Sequence, residues 1–144
     1  MKRAIISVVI VIVLLVGFIV CIPLVNDFSA KNIEKQLIEI ALPDNTELIE
    51  SLSKANKLVG NGNGMQYFGA VLIRSEQSLY ELSAYYSQKL DNIVVKEQKK
   101  ARIECVEHGE LFFNTHVTET EDYFIVYLFG EGLPLFSNLD IRGH

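Results

Sequence analysis

Residues 65–86, MQYFGAVLIRSEQSLYELSAYY, read as a strand followed at once by a helix. Met65, Tyr67, Gly69, Val71 and Ile73 alternate onto one face, while Phe68, Ala70 and Leu72 make the other face largely apolar as well. A strand that is apolar on both faces predicts a central, covered position in a sheet. Ser78 to Glu81 then spells the S-x-x-E capping box, in which hydroxyl and carboxylate satisfy each other's orphan amides at a helix start. Leu79, Leu82, Tyr86 and Leu90 recur at three- and four-residue spacing, so the helix presents one apolar stripe to the sheet.

Upstream, residues 29–41 place Ile33, Leu37, Ile40 and Ala41 at helical spacing behind a possible Ser29 cap, and Pro43 ends the pattern. This predicts a short amphipathic connecting helix whose apolar face packs on the domain. Glu47 to Leu58 reads as a strand, and Gly60 to Gly64 (GNGNG) reads as the loop to the strand quoted above. Downstream, strands are expected at Ile93–Lys96, Arg102–Val106, Leu111–Thr115 and Tyr123–Phe129, with a hairpin at His108-Gly109-Glu110 joining the second and third. The pattern is α+β, a two-layer domain of mostly antiparallel sheet with helices on one face.

Ahead of that domain runs AIISVVIVIVLLVGFIVCI, residues 4–22, of which fifteen are Ile, Val, Leu or Phe. At about 1.5 Å per residue, Ala4 to Leu24 covers roughly 30 Å, the thickness of a bilayer's hydrocarbon core. The many β-branched residues favour strand in water, but an isolated strand in lipid leaves its backbone unpaired, so helix is expected. Lys2 and Arg3 precede the run and no cation follows until Lys31, which predicts a cytoplasmic N-terminus and an external C-terminal part. The run is longer than a signal-peptide core and no small-x-small cleavage site follows it. Bulky residues before Cys21 disfavour lipidation there, and no pilin processing site is present. The expected organisation is an anchor over residues 1–25 and an extracytoplasmic domain over 26–144.

Those 119 residues suffice to close one core. All 18 acidic residues but only 11 of the 13 basic ones lie there, leaving the domain at −7. That balance argues against nucleic acid and against electrostatic docking on an anionic membrane face. Cys21 falls in the span and Cys105 in the domain, so they cannot pair within the domain. Cys105 alternates with apolar neighbours and reads as a small buried residue rather than a nucleophile.

Two segments merit attention as ligand-binding candidates. Asn61, Gly62 and Asn63 lie in the GNGNG loop, but its spacing is not G-x-G-x-x-G and a strand follows, so the helix dipole that holds phosphate is missing. Asp140, Arg142 and His144 would share one face of an extended chain, placing an acid, a guanidinium and an imidazole side by side. A salt-bridged terminal strand explains them as well. Glu107, His108 and Glu110 lack the spacing that selects a metal, and Glu119 to Asp122 lacks that of a calcium loop. No catalytic set, cofactor motif or metal site is legible.

The stretch ALPDNTELIESLSKANKLVGNGNGMQYFGAVLIRSEQSLYELSAYY (41–86), with EHGELFF (107–113), YFIVYLFGEG (123–132) and LDIRGH (139–144), resembles a family of small single-pass membrane proteins of Clostridia-type Gram-positive bacteria. The resemblance implies a bacterial plasma membrane and one domain facing the cell wall, and it carries no activity over. The expected function is a membrane-anchored extracytoplasmic interaction module with an envelope or membrane protein partner. Alternatives are a small-ligand-binding or hydrolytic domain built on Asp140, Arg142 and His144, and an accessory subunit of a membrane complex.

Overall fold

A computed structural model describes residues 2–144. Its first element, α1 (Lys2–Glu39), is one unbroken helix of 38 residues. It is long and apolar enough at its N-terminal end to cross a membrane. The anchor and the connecting helix expected at 29–41 are therefore one element, and the boundary expected at 25/26 falls inside it. The helix begins with side chains exposed all round, then buries Ile22, Asn26, Ala30, Ile33, Glu34 and Leu37 along one stripe. The helix ends at Glu39, two residues earlier than expected, and the chain turns through Pro43 and the left-handed Asn45.

Four strands form one antiparallel sheet: β1 (Thr46–Asn56), β2 (Gln66–Ser75), β3 (Val94–Glu97) and β4 (Tyr123–Gly130), in spatial order β1-β2-β4-β3. Strand β2 is interior, paired with β1 and β4, as its doubly apolar pattern requires. Its faces divide as the alternation predicts. Val71 and Ile73 pack with Leu37 of α1 and with Leu82 and Tyr86 of α2 (Leu79–Ser87). Phe68, Ala70 and Leu72 pack with Leu58, Ile103, Val106, Phe113 and Val117. The capping box forms: the Ser78 hydroxyl accepts from the Glu81 amide and the Glu81 carboxylate accepts from the Ser78 amide.

Gly69 marks the closest approach of helix to sheet. A Cβ there would lie 2.6 Å from the Glu34 backbone nitrogen and 2.9 Å from the Ile33 carbonyl carbon. Any side chain on β2 at this point would push α1 off the strand.

Two expected strands are absent. Arg102–Val106 and Leu111–Thr115 share a single bridge, Arg102 to Phe112, flanked by two backbone bonds (Ile103 to Leu111 and Phe113 to Ala101). The reason is competition from side chains. Glu50 of β1 takes the amides of Asn114 and Thr115, both at 2.9 Å, together with their side chains. Gln98 donates its amide to the carbonyls of Lys100 and Arg102. Backbone groups satisfied this way have no ladder to join. The segment still supplies apolar cover to the Phe68 face of the sheet. Cys105 is half-buried within it, and burial pushes its thiol up, away from the reactive thiolate.

The chain ends in α3 (Pro134–Leu139) and a 3-10 turn over Ile141–Gly143, at the same end of the sheet as the GNGNG loop. The terminal extended strand expected for Asp140 to His144 is not formed. The Asp140 carboxylate accepts the Arg142 amide at 3.1 Å and so caps a turn.

Candidate functional site

The richest polar constellation lies where α1 leaves its exposed apolar stretch. Asn26 is fully buried there, on the α1 stripe that continues through Ala30, Ile33 and Leu37. Its Nδ2 donates to Asp140 Oδ2 at 2.7 Å and to the Phe136 carbonyl at 3.0 Å. Its Oδ1 accepts the Tyr67 hydroxyl of β2 at 2.7 Å. One side chain thus ties the long helix to the sheet and to the C-terminal segment, leaving none of its atoms unpaired.

Asp140 and Arg142 are brought together, as their spacing suggested, though in a turn. Arg142 Nε donates to Asp140 Oδ1 at 3.0 Å and Nη2 to Oδ2 at 2.8 Å. The guanidinium reaches on to α1, with Nη1 at 2.7 Å from Asp27 Oδ1 and Nη2 at 3.1 Å from the Pro23 carbonyl. The Arg142 guanidinium outweighs the burial of Asp140, and with Asn26 and the Arg142 amide it holds the carboxyl at about 2. The same contacts push Arg142 further up. A general base works with a pKa near the ambient pH and a free lone pair, and Asp140 has neither. Its chemistry is that of a latch.

His144 does not join the pair; its Nε2 lies 3.3 Å from the Asn138 carbonyl. Asn61, Gly62 and Asn63 are exposed at the tip of the β1–β2 loop. That loop is held by side chains: Gln66 Oε1 accepts the amides of Leu58 and Val59, both at 2.7 Å, and Glu107 accepts the Gly60 amide at 2.8 Å. The two candidate segments do adjoin. The Gly64 amide donates to the Gly143 carbonyl at 2.7 Å, and the Lys57 amide donates to the Arg142 carbonyl at 3.1 Å. They meet through backbone, and neither cavity beside Arg142 is lined by Asn61, Gly62 or Asn63.

Those two cavities flank α1. One, of about 530 Å³, has Asp27, Lys31, Lys54 and Arg142 above Leu24 and Phe28. The other, of about 440 Å³, is mostly apolar, between Ile19, Ile22 and Pro23 of α1 and Leu139 and Ile141 of the C-terminal segment. A third cleft, of about 480 Å³, lies at the opposite end of the sheet, where Arg74 bridges Glu47 at 2.7 Å and Glu121 at 3.2 Å beside Glu76 and Asp122. Among the described residues, no group of three or more His, Cys, Asp or Glu is arranged to hold a metal ion.

Sequence reading missed Asn26, Asp27, Tyr67 and Glu34 as partners. The available signal was that positions 26, 30, 33 and 37 share one helical face, so that a polar Asn26 at its foot needed a buried partner.

The latch has a pH signature. A carboxyl whose folded pKa is depressed stabilises the fold above its ordinary value, and loses that contribution as pH falls through the folded value. For Asp140, lowered from 3.8 to about 2, this is about 2 kcal/mol, lost between about pH 4 and pH 2. Asp140→Asn is expected to lose about that amount at neutral pH and to flatten this part of the acid profile, measured by denaturant titration of the detergent-solubilised chain.

No protein-family model, curated protein or solved structure matches the chain.

Proposed function

We propose that the chain is a single-pass protein of a bacterial plasma membrane, with a cytoplasmic N-terminus. Residues 26–144 then stand outside as an interaction module for an envelope or membrane protein partner. The observation that carries this reading is the continuity of α1, which runs from its exposed apolar half into the core of the domain without a linker. A flexible tether serves reach; a helix packed into the core serves presentation at fixed height and orientation. From Leu24 to Glu39 the helix rises about 22 Å, which sets the Glu47–Arg74–Glu121 cleft well clear of the lipid.

Retention of the anchor is supported by the latch, because Arg142 is bonded to Pro23 and Asp27 and Asp140 to Asn26. Cleavage anywhere from 22 to 29 would sever the helix on which that network is built. An interaction role rather than catalysis is supported by the saturation of Asp140 and by the departure of His144 from the pair.

The test places a photo-crosslinking amino acid at Glu76 or at Thr120, both exposed at the cleft, in the full chain in its native membrane. The expected result is one recurrent partner crosslinked from both positions. It should persist when residues 4–17 are exchanged for an unrelated apolar sequence. Absence of any product from either position overturns the reading. A product lost on exchange of the span points instead to an accessory subunit recognised through its membrane helix.

A further inference from the structure

Leu133, Leu135, Leu139 and Ile141 are exposed large apolar side chains within nine residues of each other. In a water-facing domain such a cluster is a liability, and its position suggests what covers it. The segment packs on α1 at the end of the apolar run: the Phe136 ring lies 6.2 Å from the Phe18 ring, and Leu139 and Ile141 line one groove with Ile19 and Ile22. Phe18 precedes Leu24 by six residues, about 9 Å along the helix. Interfacial helices bury their apolar faces about 5–10 Å into the boundary between headgroups and acyl chains, the same depth.

The polar groups of the segment are arranged to allow this. Between Glu131 and Arg142 the one ionisable side chain is Asp140, buried at 3 % exposure and neutralised by Arg142. The Ser137 hydroxyl donates to the Pro134 carbonyl, and the Phe136 carbonyl accepts from Asn26. The exposed Asn138 side chain is the one polar side chain of the segment left to water or headgroups, so an apolar underside has little else to desolvate.

We infer that Leu133–Ile141 is a second membrane-contacting element, a foot that rests in the outer leaflet beside α1, its occupant being lipid acyl chain. This rests on the reading of Ala4–Ile22 as a span and adds that the domain touches the bilayer at two places. The latch of Asn26, Asp140 and Arg142 then fixes the foot to the helix rather than binding a solute.

The chain contains no tryptophan, so single tryptophans report position directly. Four full-length variants are compared in phosphatidylcholine–phosphatidylglycerol vesicles: Leu135→Trp and Ile141→Trp in the foot, Val13→Trp in the span, and Tyr80→Trp on α2. Leu135, Ile141 and Tyr80 are 58 %, 85 % and 83 % exposed and none is a core residue, so these replacements leave the buried packing intact. The expected result is blue-shifted emission from both foot variants. Lipids brominated near the glycerol end should quench them severalfold more than they quench Tyr80→Trp, with Val13→Trp quenched best by lipids brominated deep in the chain. Foot variants no more quenched than Tyr80→Trp, beside a deeply quenched Val13→Trp, overturn the foot and leave the span standing. An unquenched Val13→Trp overturns both.

Discussion

Gly69→Ala is expected to destabilise the domain by about 2–3 kcal/mol, the upper part of the range for an added methyl group in a packed interior. The atoms in the way are the reason. A Cβ at Gly69 meets the Glu34 nitrogen at 2.6 Å, the Ile33 Cγ2 at 2.8 Å and the Ile33 carbonyl carbon at 2.9 Å. Two of the three are helix backbone, which cannot rotate aside, so α1 must shift bodily. That shift also draws Ile33 out of its cluster with Ala30, Ala55 and Tyr67. Larger residues should cost more, and Gly69→Val should release the helix from the sheet. Thermal or urea unfolding of the solubilised full chain measures both. An alanine variant as stable as the parent would refute the close approach.

Glu34→Ala is expected to have an effect of similar size by a different route. The Glu34 side chain is almost fully buried under the helix, where its carboxylate accepts from Lys31 Nζ at 2.7 Å, Ser51 Oγ at 2.7 Å and Ser53 Oγ at 2.6 Å. Burial alone would raise its pKa, but the Lys31 ammonium and the two β1 hydroxyls overcome that and hold it below the ordinary carboxylate value. Removing the carboxylate takes the acceptor from two half-buried hydroxyls and costs about 2 kcal/mol, toward the low end of about 1–3 kcal/mol per group because water reaches part of each. Glu34→Gln keeps an acceptor and loses the charge, so it should fall between. Because the folded pKa is depressed, the parent chain holds this contribution above pH 4.5 and loses it on acidification below that, whereas the glutamine variant does not. Parallel unfolding series at pH 6 and at lower pH check the sign.

Local signals in the sequence were legible and long-range ones were not. The doubly apolar pattern of 65–73 was enough to make β2 an interior strand with neighbours on both sides, and Ser78 with Glu81 was enough to start α2. Both are local signals. The expected strands at 102–106 and 111–115 shrink to one bridge partly for a non-local reason: their alternation is real, but beyond Phe113 the amides of Asn114 and Thr115 are claimed by Glu50, more than sixty residues away. The candidate site divides the same way. Asp140 and Arg142 were legible as a pair because they are two residues apart, while their turn geometry depended on which oxygen accepted the Arg142 amide. Asn26, whose partner Asp140 is 114 residues away, carried only the faint mark of a polar residue on an apolar stripe.

The unbroken α1 helix has a mechanical consequence. If Ala4–Ile22 crosses a bilayer as proposed, the domain becomes the far arm of a lever whose near arm lies in lipid. Membrane helices tilt by about 20° on average, to an extent that follows hydrocarbon thickness, and over an arm of about 22 Å such a tilt carries the Arg74 cleft sideways by about 7 Å. On that reading membrane thickness would become a coordinate of the cleft's position, passed through a continuous helix whose interior Pro23 is held by the bond from Arg142 to its carbonyl.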